Sequence, residues 1–325
     1  MRYLYLLAAS LLTGLAIPVS ALPQLSIIQS ETSEQSSLST VSEKIVPDVQ
    51  VSPELHKQVS QASPSSSVNP DVQIDNHQLV SGSQLYYQRL TTLKAEQTYT
   101  RSANNLQSLW KSTRKPQLTY EDWKNLLVME AKAMAVDQGR NHLSILVGDS
   151  LSMWFPREKL PTGELWLNQG ISGDTSTGIL KRLSAFAQTK PDVIYLMAGV
   201  NDLRKGVGDT IVLHNHRQII HNLRHAHPHA QIIVQSILPT RLTSIPNSRI
   251  RRINNQLAFI AKQEGAYYLD IHNWFADVQG NLREDLTTDG LHLSEQGYDV
   301  WRAAIQQMEL RNTVLRMSQQ IKSKK

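Results

Sequence analysis

The feature that most constrains the fold is an alternation that begins near Asn141. Five short apolar, β-prone runs follow one another: Leu143–Val147, Leu165–Leu167, Val193–Ala198, Ile232–Leu238 and Tyr267–Ile271. Helix-like stretches separate and follow them, at about Thr175–Ala187, Thr210–Arg224, Ser248–Glu264 and Ser294–Arg311. Strands joined through helices pair in parallel, because each crossover returns the chain to the same end of the sheet. Runs that are apolar throughout imply burial on both faces. The expectation is an α/β domain over residues 141–312, with a parallel sheet between two helical layers. In such sheets sites form beyond the carboxyl ends of the strands.

Polar clusters stand at those positions. Gly148-Asp149-Ser150-Leu151-Ser152 follows the first run, and Asn168-Gln169-Gly170-Ile171-Ser172-Gly173-Asp174-Thr175 follows the second. Ala198-Gly199-Val200-Asn201-Asp202 follows the third, and Thr288-Asp289-Gly290-Leu291-His292-Leu293 precedes the last helix-like stretch. Each has an ordinary structural explanation when taken alone. Gly, Asp, Asn and Ser are turn formers, and Asp149, Ser152 or Asp174 can cap the helix that follows.

Together the clusters meet a chemical specification. Acyl transfer from an ester needs a nucleophile, a base, a group that fixes the base, and donors for an oxyanion. Ser150 suits the first role at a strand-to-helix turn. His292 can accept its proton, and Asp289, three residues earlier, can reach the imidazole across a tight turn. The backbone N–H groups of Ser150 and Gly173 and the side-chain amide of Asn201 are candidate oxyanion donors. Glycine permits close approach of substrate to backbone, and an asparagine amide donates without adding charge.

These four blocks resemble those of the SGNH hydrolases, the GDSL-type esterases and lipases. The family's Ser, Gly, Asn and His match Ser150 in "GDSLS", Gly173 in "NQGISGDTS", Asn201 in "AGVND", and His292 with Asp289 in "DGLH". The likeness covers about Asn141 to Arg311. It implies a flavodoxin-like three-layer α/β/α sandwich and ester hydrolysis through a Ser-His-Asp triad, with no cofactor and no metal. The other large serine-hydrolase fold uses Gly-x-Ser-x-Gly; here its last position is Ser152, and the short Asp289–His292 spacing also favours the SGNH pattern. A small-molecule, polysaccharide or lipid ester is the expected substrate. The alternatives are a polysaccharide O-deacetylase, a lysophospholipase, a thioesterase or a non-catalytic carbohydrate-binding surface protein.

The rest of the chain frames this domain. Residues 1–21 read as a signal peptide: Arg2, an apolar run from Tyr3 to Ile17, Pro18, then small residues ending at Ala21. The run is short for a bilayer span, and an uncleaved anchor is the alternative. Either reading places the body outside the cytoplasm, in the periplasm or beyond the cell. The absence of cysteine fits that setting and excludes disulfides and thiolate metal sites. Residues 22–83 are rich in Ser, Gln and Val and read as a disordered linker. Residues 84–140 read as a helical extension, with Thr119 and Asp122 as a capping pair and Trp123, Leu127, Ala131 and Met134 on one face. Residues 313–325 read as a basic tail.

The net charge of +5 is mild and gathers partly at the C-terminus, with no basic stripe interleaved with aromatics, so nucleic acid is not an expected partner. Six histidines crowd His214–His229, and His221 and His225 have a helical chelating spacing. No carboxylate or cysteine accompanies them, and a solvated helix explains them. Met153, Trp154, Phe155 and Trp166 either line a pocket or fill the core. Arg157 and Arg241 are ordinary surface arginines on this reading.

Overall fold

The computed structural model describes residues 26–28, 81–97 and 118–323. Its centre is a sheet in which all five expected strands pair in parallel: β2 (Leu143–Gly148), β3 (Leu165–Gly170), β4 (Val193–Met197), β5 (Gln231–Gln235) and β6 (Tyr267–Asp270). The full order is β1-β6-β5-β4-β2-β3. The parallel strands, counted among themselves, run 2-1-3-4-5, which is the flavodoxin order. The strand order reverses at β2, whose two neighbours are β3 and β4, and this is the crevice where such folds bind ligands.

Side-chain alternation along the strands builds two cores. Leu143, Ile145 and Val147 of β2 join Ile194 and Leu196 of β4 on one face. Leu146 joins Val193, Tyr195 and Met197 on the other. Every residue of β2 and β4 is buried, as their continuous apolar character requires. The first face is covered by α4 (Ser176–Arg182), α6 (Asp209–Ala226) and α7 (Asn247–Gln263). The second is covered by α9 (Glu295–Ser323), whose Trp301 is fully buried and satisfies its indole N–H on Gln235 at 2.7 Å. Between these lie the short α3 (Ser150–Met153), α5 (Val200–Arg204) and α8 (His272–Phe275). The architecture is the expected three-layer α/β/α sandwich.

The helical extension consists of α1 (Gly82–Gln97) and α2 (Tyr120–Asp137). Thr119 and Asp122 form the capping box at the start of α2, each side chain receiving the other's backbone N–H. Tyr86 and Leu93 of α1 and Trp123, Leu126 and Leu127 of α2 pack with Met153 and Ile171 of the sheet domain. Arg89 fixes the arrangement: it pairs with Glu130 and donates to the Asn168 carbonyl of β3 at 2.8 Å.

Two boundaries differ from expectation. Ser26–Ile28, inside the segment read as a linker, forms β1 and pairs antiparallel with β6, Ser26 facing Asp270. A three-residue edge strand depends on its partner more than on its own sequence. The expected basic tail is helical as far as Ser323, because the α9 register continues past residue 312 without a breaker. The expected signal peptide and the remainder of the linker lie outside the described residues.

Candidate active site

The loops after β2, β3 and β4 and the turn before α9 converge at the carboxyl end of the sheet. β2 ends at Gly148, and Asp149 then caps α3 by accepting the Leu151 N–H at 3.0 Å. Ser150 opens that helix, so its own N–H has no intrahelical acceptor. The turn is held against β3 by Asn168, which donates to the Ser152 carbonyl at 2.6 Å and accepts from the Gly170 N–H. Gly170 is required by space: a Cβ there would lie 2.3 Å from the Met153 nitrogen.

Gly173 has a different requirement. Its φ is +75°, a left-handed conformation that glycine adopts freely, and open space lies where a side chain would stand. Among the described residues its N–H has no hydrogen-bond acceptor. Lys205 donates to its carbonyl at 2.9 Å.

Asn201 is buried near the start of α5. Its Nδ2 donates to the Asp149 carboxylate at 3.3 Å and to the Asp174 carbonyl at 3.1 Å. An oxyanion would therefore compete for one of two engaged protons, and the longer contact to Asp149 is the weaker competitor.

The His292 Nδ1 lies 2.6 Å from Asp289 Oδ2, and the His292 and Leu291 N–H groups donate to Asp289 Oδ1 at 2.7 and 3.0 Å. Burial alone would raise the Asp289 carboxyl. The His292 side chain and these two backbone donors outweigh it and hold the group below the usual carboxylate range. The turn is tied internally by Thr287, which donates to the His292 carbonyl at 2.6 Å, and to the β5–α7 loop by Arg241 N–H on the Gly290 carbonyl at 2.8 Å. Leu151 and Leu291, which adjoin Ser150 and His292, line one cavity. His292 stays partly exposed, its side chain at 37%.

Beneath these groups lies a buried polar network that sequence reasoning did not find. Arg182, at the end of α4, pairs with Asp174 at 2.7 Å and donates to the Gln169 and Gly148 carbonyls at 2.7 and 2.9 Å. It thereby joins the ends of β2 and β3 to the loop that carries Gly173. Asp202 accepts the Ser176 N–H and hydroxyl at 2.8 and 2.6 Å, and Asn215 donates to that hydroxyl. The expectation that Asp149, Asp174 and Asp202 orient their neighbours fits these contacts. Arg182 and Asn215 had no local signal, since a polar residue on a helix ordinarily faces water.

Asp149 is the most perturbed group. Burial, followed by the charges of Asp174 and Asp202, pushes its carboxyl up to about 7, against the Leu151 N–H and the His292 charge, which lower it. Tyr298 packs close by, donating to the Leu151 carbonyl at 3.1 Å, and burial and the Asp149 charge raise its hydroxyl.

The remaining candidates separate. Met153 and Phe155 are buried in core clusters, with Trp154 packed against them. Trp166 stacks on Tyr195 and donates to the Pro161 carbonyl near the amino end of β3, away from the site. Arg241 is occupied by Asp277 and Glu284. His216 and His227 are buried rather than solvated, while His214, His221, His225 and His229 are exposed. Burial lowers the His216 imidazole against the Val212 carbonyl, the Asp202 charge and the Ala198 carbonyl. Among the described residues no group of three or more His, Cys, Asp or Glu is placed to hold a metal.

Comparison with known proteins agrees with this geometry. Residues 147–300 match the GDSL-like Lipase/Acylhydrolase family. A GDSL-like lipase from Bacteroides thetaiotaomicron superposes with a TM-score of 0.51 at 19% identity, covering 58% of this chain and 98% of that one. A Streptococcus pneumonia protein whose name refers to platelet activating factor superposes at 0.53 with 24% identity, covering 64% of this chain and 99% of its own. An N-acylneuraminate cytidylyltransferase from Streptococcus agalactiae serotype V is 26% identical over 176 residues, which is 51% of this chain and 38% of that relative's length. The chain thus belongs to the GDSL-like lipase/acylhydrolase family of SGNH hydrolases and is a hydrolase of carboxylic esters.

Proposed function

We propose that this protein is an exported serine esterase acting through a Ser150-His292-Asp289 triad. Ser150 Oγ attacks the ester carbonyl while His292 takes its proton. Asp289 fixes the imidazole with Nδ1 protonated, leaving Nε2 as the base, and stabilises the imidazolium. The oxyanion rests on the Ser150 and Gly173 N–H groups and on the Asn201 amide, which turns from Asp149 toward it. His292 returns the proton to the leaving alcohol, and water activated by the same imidazole releases the acid.

The observation that carries the reading is the 2.6 Å contact between His292 and Asp289 in a turn that borders the Ser150 cavity. Export is supported by the apolar run after Arg2 and the small residues that end at Ala21. No described helix is long and apolar enough to cross a membrane.

A fluorophosphonate probe tests the assignment. Wild type is expected to label at Ser150, and Ser150→Ala to lose both label and ester turnover. Turnover at the wild-type rate in Ser150→Ala would remove Ser150 from the mechanism. A folded wild-type protein that never labels would favour a binding module.

A further inference from the structure

The cavity that borders the nucleophile is small and firmly walled. It has a volume of about 10 Å³ and an apolar lining that includes Leu151, Met197, Val200, Ile237, Leu238 and Leu291. A space of roughly 10–15 Å³ on this measure holds a single water, and a methyl group is of similar size. All six of these side chains are buried.

The walls are also pinned. Asn254 of α7 accepts the Ile237 N–H and donates to the Ile237 carbonyl, both at 2.8 Å. Asn247, one helix end away, does the same for Thr240, at 2.9 and 2.8 Å. The segment from Ile237 to Thr240 is therefore held at both ends through its backbone, and retreating would break two buried pairs of hydrogen bonds. Leu291 is held from behind by the Gly290 carbonyl, which accepts from the Arg241 backbone.

The other side of the site is open. His292 must deliver a proton to the leaving alcohol, so that alcohol lies beside the imidazole. His292 and Asp289 have side chains 37% and 52% exposed, so the alcohol projects toward solvent. The acyl group is left with the closed cavity.

We infer that this enzyme is an acetyl esterase, selective for a two-carbon acyl group and permissive toward the alcohol that bears it. The inference rests on the hydrolase reading above. In the reaction the Ser150 oxygen bonds to the acetyl carbon and the carbon–oxygen bond to the alcohol breaks. The proton from Ser150 passes through His292 to the departing alkoxide. Water then adds to the acetyl-enzyme, releasing acetate and restoring the Ser150 hydroxyl.

The test is kcat/KM for p-nitrophenyl acetate, butyrate and octanoate. One surplus methylene in a closed pocket costs roughly 10-fold or more, so butyrate is expected to fall at least about 10-fold below acetate, with octanoate lower still. Ile237→Ala is expected to raise the butyrate-to-acetate ratio at least about 10-fold. If that variant does not fold, Leu238→Ala probes the same wall, and the wild-type ratio needs no variant. A butyrate or octanoate rate equal to that of acetate in wild type would overturn the inference. A folded wall variant with an unchanged ratio would also overturn it, leaving a water-filled cavity only. Fluorophosphonate labelling separates the two failures: a labelled enzyme without chain-length selectivity defeats only the acetyl inference, whereas absence of label at Ser150 defeats the hydrolase reading.

Discussion

Asp149 couples the stability of this protein to pH in a sense opposite to most carboxylates. It is fully enclosed, and its pKa rises from 3.8 to about 7. Between those values the folded protein keeps a proton that the unfolded chain has released. Stability from this group therefore falls as pH climbs from about 4 to 7 and is level above that. At 1.36 kcal/mol per pH unit, the span between 3.8 and about 7 amounts to something on the order of 4 kcal/mol. Asp149→Asn removes the titration while keeping a side-chain oxygen for the Leu151 N–H. The altered contact to Asn201 adds an offset that does not vary with pH. Urea unfolding of both proteins from pH 4.5 to 8.5 gives the difference in stability directly. The variant is expected to gain on wild type by several kcal/mol across that interval, with most of the gain below pH 7.5. Parallel curves for the two proteins would refute the argument, because every other titrating group is common to both.

Three further outcomes follow from the same network. Arg182→Met leaves the Asp174 carboxylate buried without its partner, and guanidinium unfolding is expected to show a loss of about 3–5 kcal/mol, part of it recovered by adding Asp174→Asn. Gly170→Ala drives a Cβ into the Met153 backbone at 2.3 Å, so steady-state kinetics on a variant with wild-type circular dichroism should show at least a tenfold fall in kcat/KM, as expected for roughly 1 Å of displacement at the nucleophile. Asn201→Ala is expected to lower kcat by roughly 10²–10³ with KM little changed, and a loss below about threefold would exclude the amide from the oxyanion site.

The legible parts of the sequence were those whose pattern is local. Strand runs such as Leu143–Val147 announce themselves because a strand covered on both faces has no polar positions. Thr119 and Asp122 were readable because a capping box is a three-residue signal. The site motifs were readable as a set because each follows a strand or opens a turn. What remained hidden depends on partners distant in sequence. Ser26–Ile28 becomes a strand through Tyr268–Asp270, more than two hundred residues away. Arg182 and His216 looked like solvated helix residues, and only the folded chain shows that they face the floor of the site. Met153 and Phe155 could not be divided between pocket and core until the extension and α9 were seen packing over them.

The two margins of the sheet have a consequence for how copies of this protein coexist. An open strand edge is a template for pairing with another chain, and long flat edges invite aggregation. At one margin the exposed ladder is reduced to the three residues of β1, laid antiparallel on β6. At the other, the Arg89 guanidinium occupies the Asn168 carbonyl of β3 and brings a charge to the edge. The extension that braces the nucleophile turn therefore also discourages strand-by-strand self-association. Loss of Arg89 is then a matter of colloidal behaviour at high protein concentration as much as of catalysis.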